Sequence, residues 1–139
     1  MNRKQFLYNF MRKHTIGVLS TVSREGNPEA AVVEFGETKD LELIFDTIDT
    51  FRKYQNLKQN PSVAFVVGWD ENKTVQYEGG AVELTGIKLD KYKQVYFAKL
   101  PEAQKWESTP GTKYFKVIPK WIRYTDLNKR PWKIFELQF

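Results

Sequence analysis

The stretch FDTIDTFRKYQNLKQNP, residues 45–61, places Arg52 and Lys53 side by side where a strand gives way to a helix. Positive charge in a helix's first turn opposes the helix dipole, which favours anions there. Two adjacent cations at that position therefore point to an anionic group held at the helix start. The free backbone N–H groups of a first turn, joined by Arg and Lys, make a phosphate cradle. The hydroxyls of Thr47 and Thr50 are placed to complete it. The competing reading is that both cations simply point into solvent.

Other chemistries are excluded by composition. The chain has no cysteine, so disulfides and thiolate catalysis are absent, and with a single histidine, His14, there is no histidine-rich metal site. No nucleophile-elbow motif accompanies His14, which reads as a turn or helix-end residue. The 22 basic and 17 acidic residues give a net charge of +5, which suits an anionic ligand or nucleic acid and equally serves solubility. Aromatic residues make up 15% of the chain, a high share of the type found in cores, interfaces and pockets for planar ligands. No apolar run approaches the ~20 residues that span a bilayer, and the N-terminus has no signal-like apolar region. A cytoplasmic protein is expected.

The elements that must position the cationic pair follow from the hydrophobic pattern. Residues 2–13 read as a helix capped by Asn2, with Phe6/Phe10 and Leu7/Met11 paired on one side. TIGVLSTV and AAVVEF read as strands about a Glu25–Pro28 turn, and LELIFDT as a third, with Leu41, Leu43 and Phe45 on one face and Glu42 and Ile44 on the other. Short turns make these three an expected antiparallel meander. Asp49 or Thr50 is the expected cap of the next helix, which Asn60-Pro61 ends. SVAFVVGW and residues 74–85 are further strands, the latter interrupted by Gly79-Gly80 and followed by Gly86, glycines that suggest bulges. Asp90 is the expected cap of a helical stretch to Lys99, residues 101–106 add another turn or two, and strands are expected near 112–118, 120–125 and 132–137. With no repeat or linker, residues 1–139 are expected to be one all-β barrel domain with helical insertions.

The order LSTVSREGNPEAAVVEF, LIFDT, FRKYQNLKQNPSVAFVVGW and KTVQYEGGAVEL resembles the pyridoxamine 5′-phosphate oxidase-like family across roughly residues 10–88. The C-terminal WIRYTD and WKIFEL match it more loosely. The resemblance implies an FMN-binding split β-barrel, with six to seven antiparallel strands in Greek-key-like order and short peripheral helices. It implies that Arg52, Lys53 and Thr47 bind the flavin phosphate, with Asp46 standing where a tyrosine is frequent. It also implies that the strand carrying Val32, Val33 and Glu34 lies along the isoalloxazine ring. Glu34 either faces the ligand cavity or stands in water. The resemblance places Thr74 where a glutamine often contacts the cofactor, and Gln76 lies two residues later on the same strand face, so either one is implied in that contact. The family forms homodimers in which the second subunit covers the flavin, and Trp121, Arg130 or Trp132 are the candidates for that contact. Trp69 and Trp106 read as core or interface residues.

One departure bears on activity. DKYKQVYFAKLPEAQKWE stands where true pyridoxamine phosphate oxidases carry an arginine- and serine-rich substrate segment, and it does not resemble that segment. The expectation is therefore a short flavoprotein of the general-stress-protein or uncharacterised type: an FMN-dependent oxidoreductase, or a flavin-binding protein without turnover, its small-molecule substrate unspecified. Two alternatives stand beside it. One is a reductase of the same fold using the deazaflavin F420, whose longer acidic tail asks for more cations than Arg52, Lys53 and Lys58. The other is a barrel that binds single-stranded nucleic acid by base stacking, which the scattered lysines disfavour. Haem is disfavoured by the lone His14.

Overall fold

A computed structural model describes residues 1–139. Helix α1 (Arg3–Arg12) begins at Asn2, whose side chain accepts the Gln5 amide at 3.0 Å, and it buries Leu7 and Met11. Strands β1 (Ile16–Val22) and β2 (Pro28–Glu34) form an antiparallel hairpin closed at Gly26, where φ is +86°. The two-residue β3 (Gly36–Glu37), β4 (Leu43–Ile48) and helix α2 (Arg52–Gln59) follow. Then come β5 (Ser62–Val67), β6 (Lys73–Glu83), helix α3 (Gly86–Lys99), a 3-10 turn (Pro101–Trp106), β7 (Thr112–Asp126) and β8 (Lys133–Gln138).

The strands make one sheet in the order β2-β1-β5-β6-β7-β4-β3, with β8 also paired to β7. This sheet curls until β2 and β4 come near one another, but no ladder joins them. The result is a split antiparallel barrel. It has eight strands rather than six or seven, the addition being the short β3. Curvature is built in at the Glu78/Gly79 register shift between β6 and β7. A side chain at Gly79 would collide with the carbonyl oxygen of Ile118, so the two strands approach there as only glycine permits.

The barrel interior holds Leu19, Phe45, Phe65, Tyr77, Phe115 and Ile122, all at most 2% exposed. The Tyr77 hydroxyl lies 2.7 Å from the carbonyl of Leu41 and 3.2 Å from that of Val117, so this buried polar group is satisfied. A second cluster sits outside the sheet, where α3 lays Tyr92 and Tyr96 over Ile44 and Tyr114.

Several expectations are corrected. The three-strand meander stops after its first hairpin, because the chain bends at Phe35-Gly36 and β4 pairs with β7 on the opposite edge of the sheet. Ile44 lies on the face opposite Leu43 and Phe45, and that face is buried too, since α3 covers that side of β4. Helix α3 starts at Gly86 after Thr85, not at Asp90, so Gly86 with φ of +66° opens a helix instead of bulging a strand. The two strands expected near 112–125 are one continuous β7. Helix α2 begins after Phe51, with no side-chain cap from Asp49 or Thr50.

Candidate functional site

The split between β2 and β4 is where the chain's chemistry gathers. β2 pairs only with β1, which leaves backbone N–H and C=O groups on its other side without a strand partner. Across the gap, β4 ends and α2 begins. Two adjoining clefts follow this line and share Phe51 and Lys53. One, of about 420 Å³, runs beneath Glu29, Ala30 and Ala31 to Thr50 and Arg52. The other, of about 330 Å³, lies between Val32, Val33 and Glu34 on one wall and Asp46, Thr47 and Ile48 on the other, with Trp106 and Thr112 at its side.

The cationic pair does not act as a unit. Arg52 is ion-paired with Glu29, and its side chain is 82% exposed. Glu29 is held below the usual carboxylate range mainly by the Asn56 amide, which donates to it at 2.8 Å, and further by Arg52. Asn56 also donates to the Thr21 hydroxyl at 3.0 Å, so a polar network fixes α2 to β1 and β2. Lys53 points the other way, into both clefts. It forms no ion pair, and its ammonium lies 4.9 Å from the centre of the Phe51 ring. Burial depresses its pKa, which the nearby Asp46 partly offsets.

The first turn of α2 carries no acidic residue and no side-chain cap; the Tyr54 N–H donates to the Phe51 carbonyl at 3.1 Å, which leaves the N–H groups of Arg52 and Lys53 open to an anion. Beside it, the Thr47 hydroxyl is buried at 4% exposure of the residue and has no hydrogen-bond partner. An orphaned hydroxyl, an open helix start and an unpaired ammonium on one cleft fit a phosphate group. Asp46 is also on this cleft. Burial and the charge of Glu34 push its carboxyl upward, against the opposing effects of Tyr96 and Lys53.

The structure thus brings together Arg52, Lys53, Thr47, Asp46, Thr50, Val32, Val33 and Glu34, all of which line these two clefts. Glu34 lines the second cleft and is also exposed to solvent at the free edge of β2. Thr74, Gln76 and Trp121 lie elsewhere, on strands β6 and β7 of the outer sheet face. Val32, Val18, Val66, Gln76, Arg123 and Glu136 form one cross-strand row there. Three strand spacings separate β2 from β6, or ~14 Å. Arg130 and Trp132 are exposed in the β7–β8 turn and line neither cleft.

Trp106, read from sequence as a core or interface residue, is not in the core: it is 46% exposed at the cleft wall. Its carbonyl accepts the Thr112 hydroxyl at 2.9 Å, which anchors the 3-10 turn to the start of β7. With Phe51, 48% exposed, it gives the cleft two accessible aromatic faces. Nothing local in the sequence marks this position, because the contact depends on the β4–β7 pairing.

A split barrel with an anion-ready cleft at its seam defines the class. The pyridoxamine 5′-phosphate oxidase family model matches residues 4–126, and the chain belongs to that family. A pyridoxine/pyridoxamine 5′-phosphate oxidase of Ehrlichia ruminantium is 31% identical over 90 residues, 64% of this chain and 46% of that protein. The chain thus spans less than half the length of that relative. Among solved structures, General Stress Protein 26 of Bacillus anthracis aligns over 99% of this chain and 100% of its own, with a TM-score of 0.73 and 23% identity. A heme binding protein from Mycobacterium smegmatis aligns over 99% of this chain and 58% of its own, with a TM-score of 0.85 and 15% identity. Both share the fold. No helix of the chain is long and apolar enough to cross a membrane.

Proposed function

We propose that this chain binds FMN along the β2–β4 split and works as a flavin-dependent oxidoreductase in a homodimer. The observation that carries this reading is the uncapped start of α2, where Lys53 and the unpartnered Thr47 hydroxyl face one cleft. Lys53, Thr47 and the α2 amides would hold the phosphate, with Arg52 at its outer side. The free edge of β2 at Val32, Val33 and Glu34 would offer backbone groups to the ring's polar rim. Phe51 and Trp106 would shield its faces from water. When bound, FMN supplies hydride or single-electron transfer, which the protein's own side chains cannot.

Dimer formation is supported by the outer sheet face. Val32 is 62% exposed, and Ile16 and Ile134 are each 41% exposed, on a face that also carries Gln76 and Trp121. Those last two, with Thr74, Arg130 and Trp132, would reach a flavin only across a subunit boundary.

The test is a titration of ligand-free protein with FMN, riboflavin, F420 and haemin, followed by absorbance, with the molar mass measured by light scattering. FMN is expected to bind with a shifted flavin band and more tightly than riboflavin, on a particle of twice the chain mass. A Soret band with haemin and no flavin binding would replace this reading with haem binding, as named for the mycobacterial neighbour. Tight F420 binding without FMN would favour the deazaflavin. Oligonucleotide binding with steep salt dependence and no flavin would favour the nucleic-acid reading.

A further inference from the structure

The polar wall of the larger cleft is built from side chains whose partners are already fixed. Glu29, on β2, accepts the Asn56 amide at 2.8 Å on one carboxylate oxygen and is ion-paired with Arg52 through the other. Asn56 is 8% exposed and also donates to Thr21, which is 2% exposed and stands opposite Glu29 in the β1–β2 ladder. A carboxylate that takes a buried amide on one side and a guanidinium on the other is held in place and in its ionised form. Glu29 thus sets a fixed negative charge on the cleft wall.

The place of that charge gives it a consequence. The two clefts meet at Phe51 and Lys53. A ligand with its ring along Val32–Glu34 and its phosphate at Lys53 fills the smaller cleft and the junction. The larger cleft, of about 420 Å³, stays open ahead of the phosphate, and any group attached to the phosphate's far side enters it and meets Glu29. Of the two cations that line the clefts, Arg52 is already paired with Glu29, and only Lys53 keeps its charge free. One free ammonium serves one phosphate; a second anionic group beyond it finds a carboxylate and no available cation.

We infer that Glu29 is a specificity-determining residue that confines the site to ligands ending in a single phosphate, by repelling a second anionic group carried beyond the first. This rests on the FMN reading above and goes beyond it in naming what the site refuses: dinucleotides such as FAD, whose second phosphate enters the larger cleft. Discrimination of this kind comes from a repulsive element set against the wrong ligand, with no added contact to the right one. Glu29→Gln keeps an oxygen for Asn56, so the tie between α2 and the strands survives, while the charge goes and Arg52 is released. The second phosphate of FAD then loses a repulsion and gains a partner. The terminal phosphate of FMN, held back at the junction, gains less.

The experiment measures dissociation constants of FMN, FAD and riboflavin for wild type and Glu29→Gln at one pH and ionic strength, with inorganic phosphate and pyrophosphate as competitors of FMN. Wild type should prefer FMN to FAD. In Glu29→Gln that preference should shrink by roughly 5- to 30-fold, the effect of exchanging a like charge for an opposite one beside an anion in a partly solvated cleft. Riboflavin, which has no phosphate, should bind both proteins equally. Pyrophosphate should displace FMN from wild type no better than phosphate does, and clearly better from the variant. An FMN-to-FAD ratio that is the same in both proteins overturns the inference while leaving FMN binding intact, and so does a gain for riboflavin equal to that for FAD. Should Glu29→Gln not fold, wild type alone decides: pyrophosphate displacing FMN at lower concentration than phosphate overturns the inference. Failure of wild type to bind FMN overturns both readings.

Discussion

Replacing Lys53 and Arg52 separately tests the site more sharply than replacing both. The residues are adjacent in sequence, yet Arg52 is ion-paired with Glu29 and 82% exposed, whereas Lys53 lines both clefts without an ion pair. A charge-assisted contact in a partly buried setting contributes ~1.5–3 kcal/mol, so Lys53→Ala should weaken FMN by roughly 10- to 150-fold. An exposed charge contributes less than about 1 kcal/mol, so Arg52→Ala should cost under about fivefold. Partial release of Glu29 in that variant adds a negative charge nearby, which bears on the phosphate and not on the ring. Titrating each variant with FMN and with riboflavin, by quenching of flavin fluorescence, separates the two contributions. Riboflavin lacks the phosphate, so its affinity should be the same in wild type, Lys53→Ala and Arg52→Ala. Equal losses in the two variants would refute the division of labour read from the structure. A loss of riboflavin matching that of FMN would refute the phosphate assignment itself.

Further outcomes follow from other features. Trp106→Ala should weaken FMN and riboflavin alike, by roughly 2- to 12-fold for a lost aromatic contact of ~0.5–1.5 kcal/mol; unchanged affinities would remove Trp106 from the site. Asp46 sits above its ordinary value of 3.8 in the folded chain, so the folded state holds its proton more tightly than the unfolded state. Its stabilising contribution is complete at low pH and is lost as pH rises through the raised value. Urea unfolding should therefore show Asp46→Asn gaining on wild type as pH rises from about 4 to about 8, and a constant difference would contradict this. Gly79→Ala should destabilise by ~1–3 kcal/mol through overpacking, because its Cβ would meet Ile118 O and lie 2.8 Å from Val117 Cγ1. Gly80→Ala, whose nearest neighbour would be Lys120 Cε at 3.8 Å, should leave the melting temperature nearly unchanged.

What the sequence conveyed was local, and what it missed depended on pairing over distance. Arg52 and Lys53 read as helix-opening cations from their neighbours alone, and α2 begins at Arg52. The Glu25–Pro28 turn and the Gly79 bulge were legible because turn and bulge chemistry depends on a few consecutive residues. The separation of β2 from β4 was not, since the competing partner of β4 is β7, some 70 residues downstream. The burial of Ile44 was not legible for the same reason. Alternation shows two faces of a strand but not that a later helix will cover the second one. Trp106 reaches the cleft only because β7 brings the end of the 3-10 turn against β4, and the inequality of Arg52 and Lys53 depends on Glu29, 23 residues away. Nothing in the chain's own pattern connects Thr74, Gln76, Trp121, Arg130 or Trp132 to the cleft, and the structure of one chain leaves them apart from it.

The absent ladder between β2 and β4 has a consequence for how the barrel holds together. Elsewhere the wall is sewn by backbone hydrogen bonds, but along this line the two margins are separately anchored, β2 by β1 and β4 by β7. Any molecule that touches both Val32–Glu34 and Asp46–Ile48 supplies the stitches the chain omits. Occupancy then becomes a component of foldedness: ligand at a hundredfold over its dissociation constant adds about 2.7 kcal/mol to the native state. Cofactor supply would thereby set how long the protein survives as well as whether it works, with the seam as the first place to open when the cargo runs short.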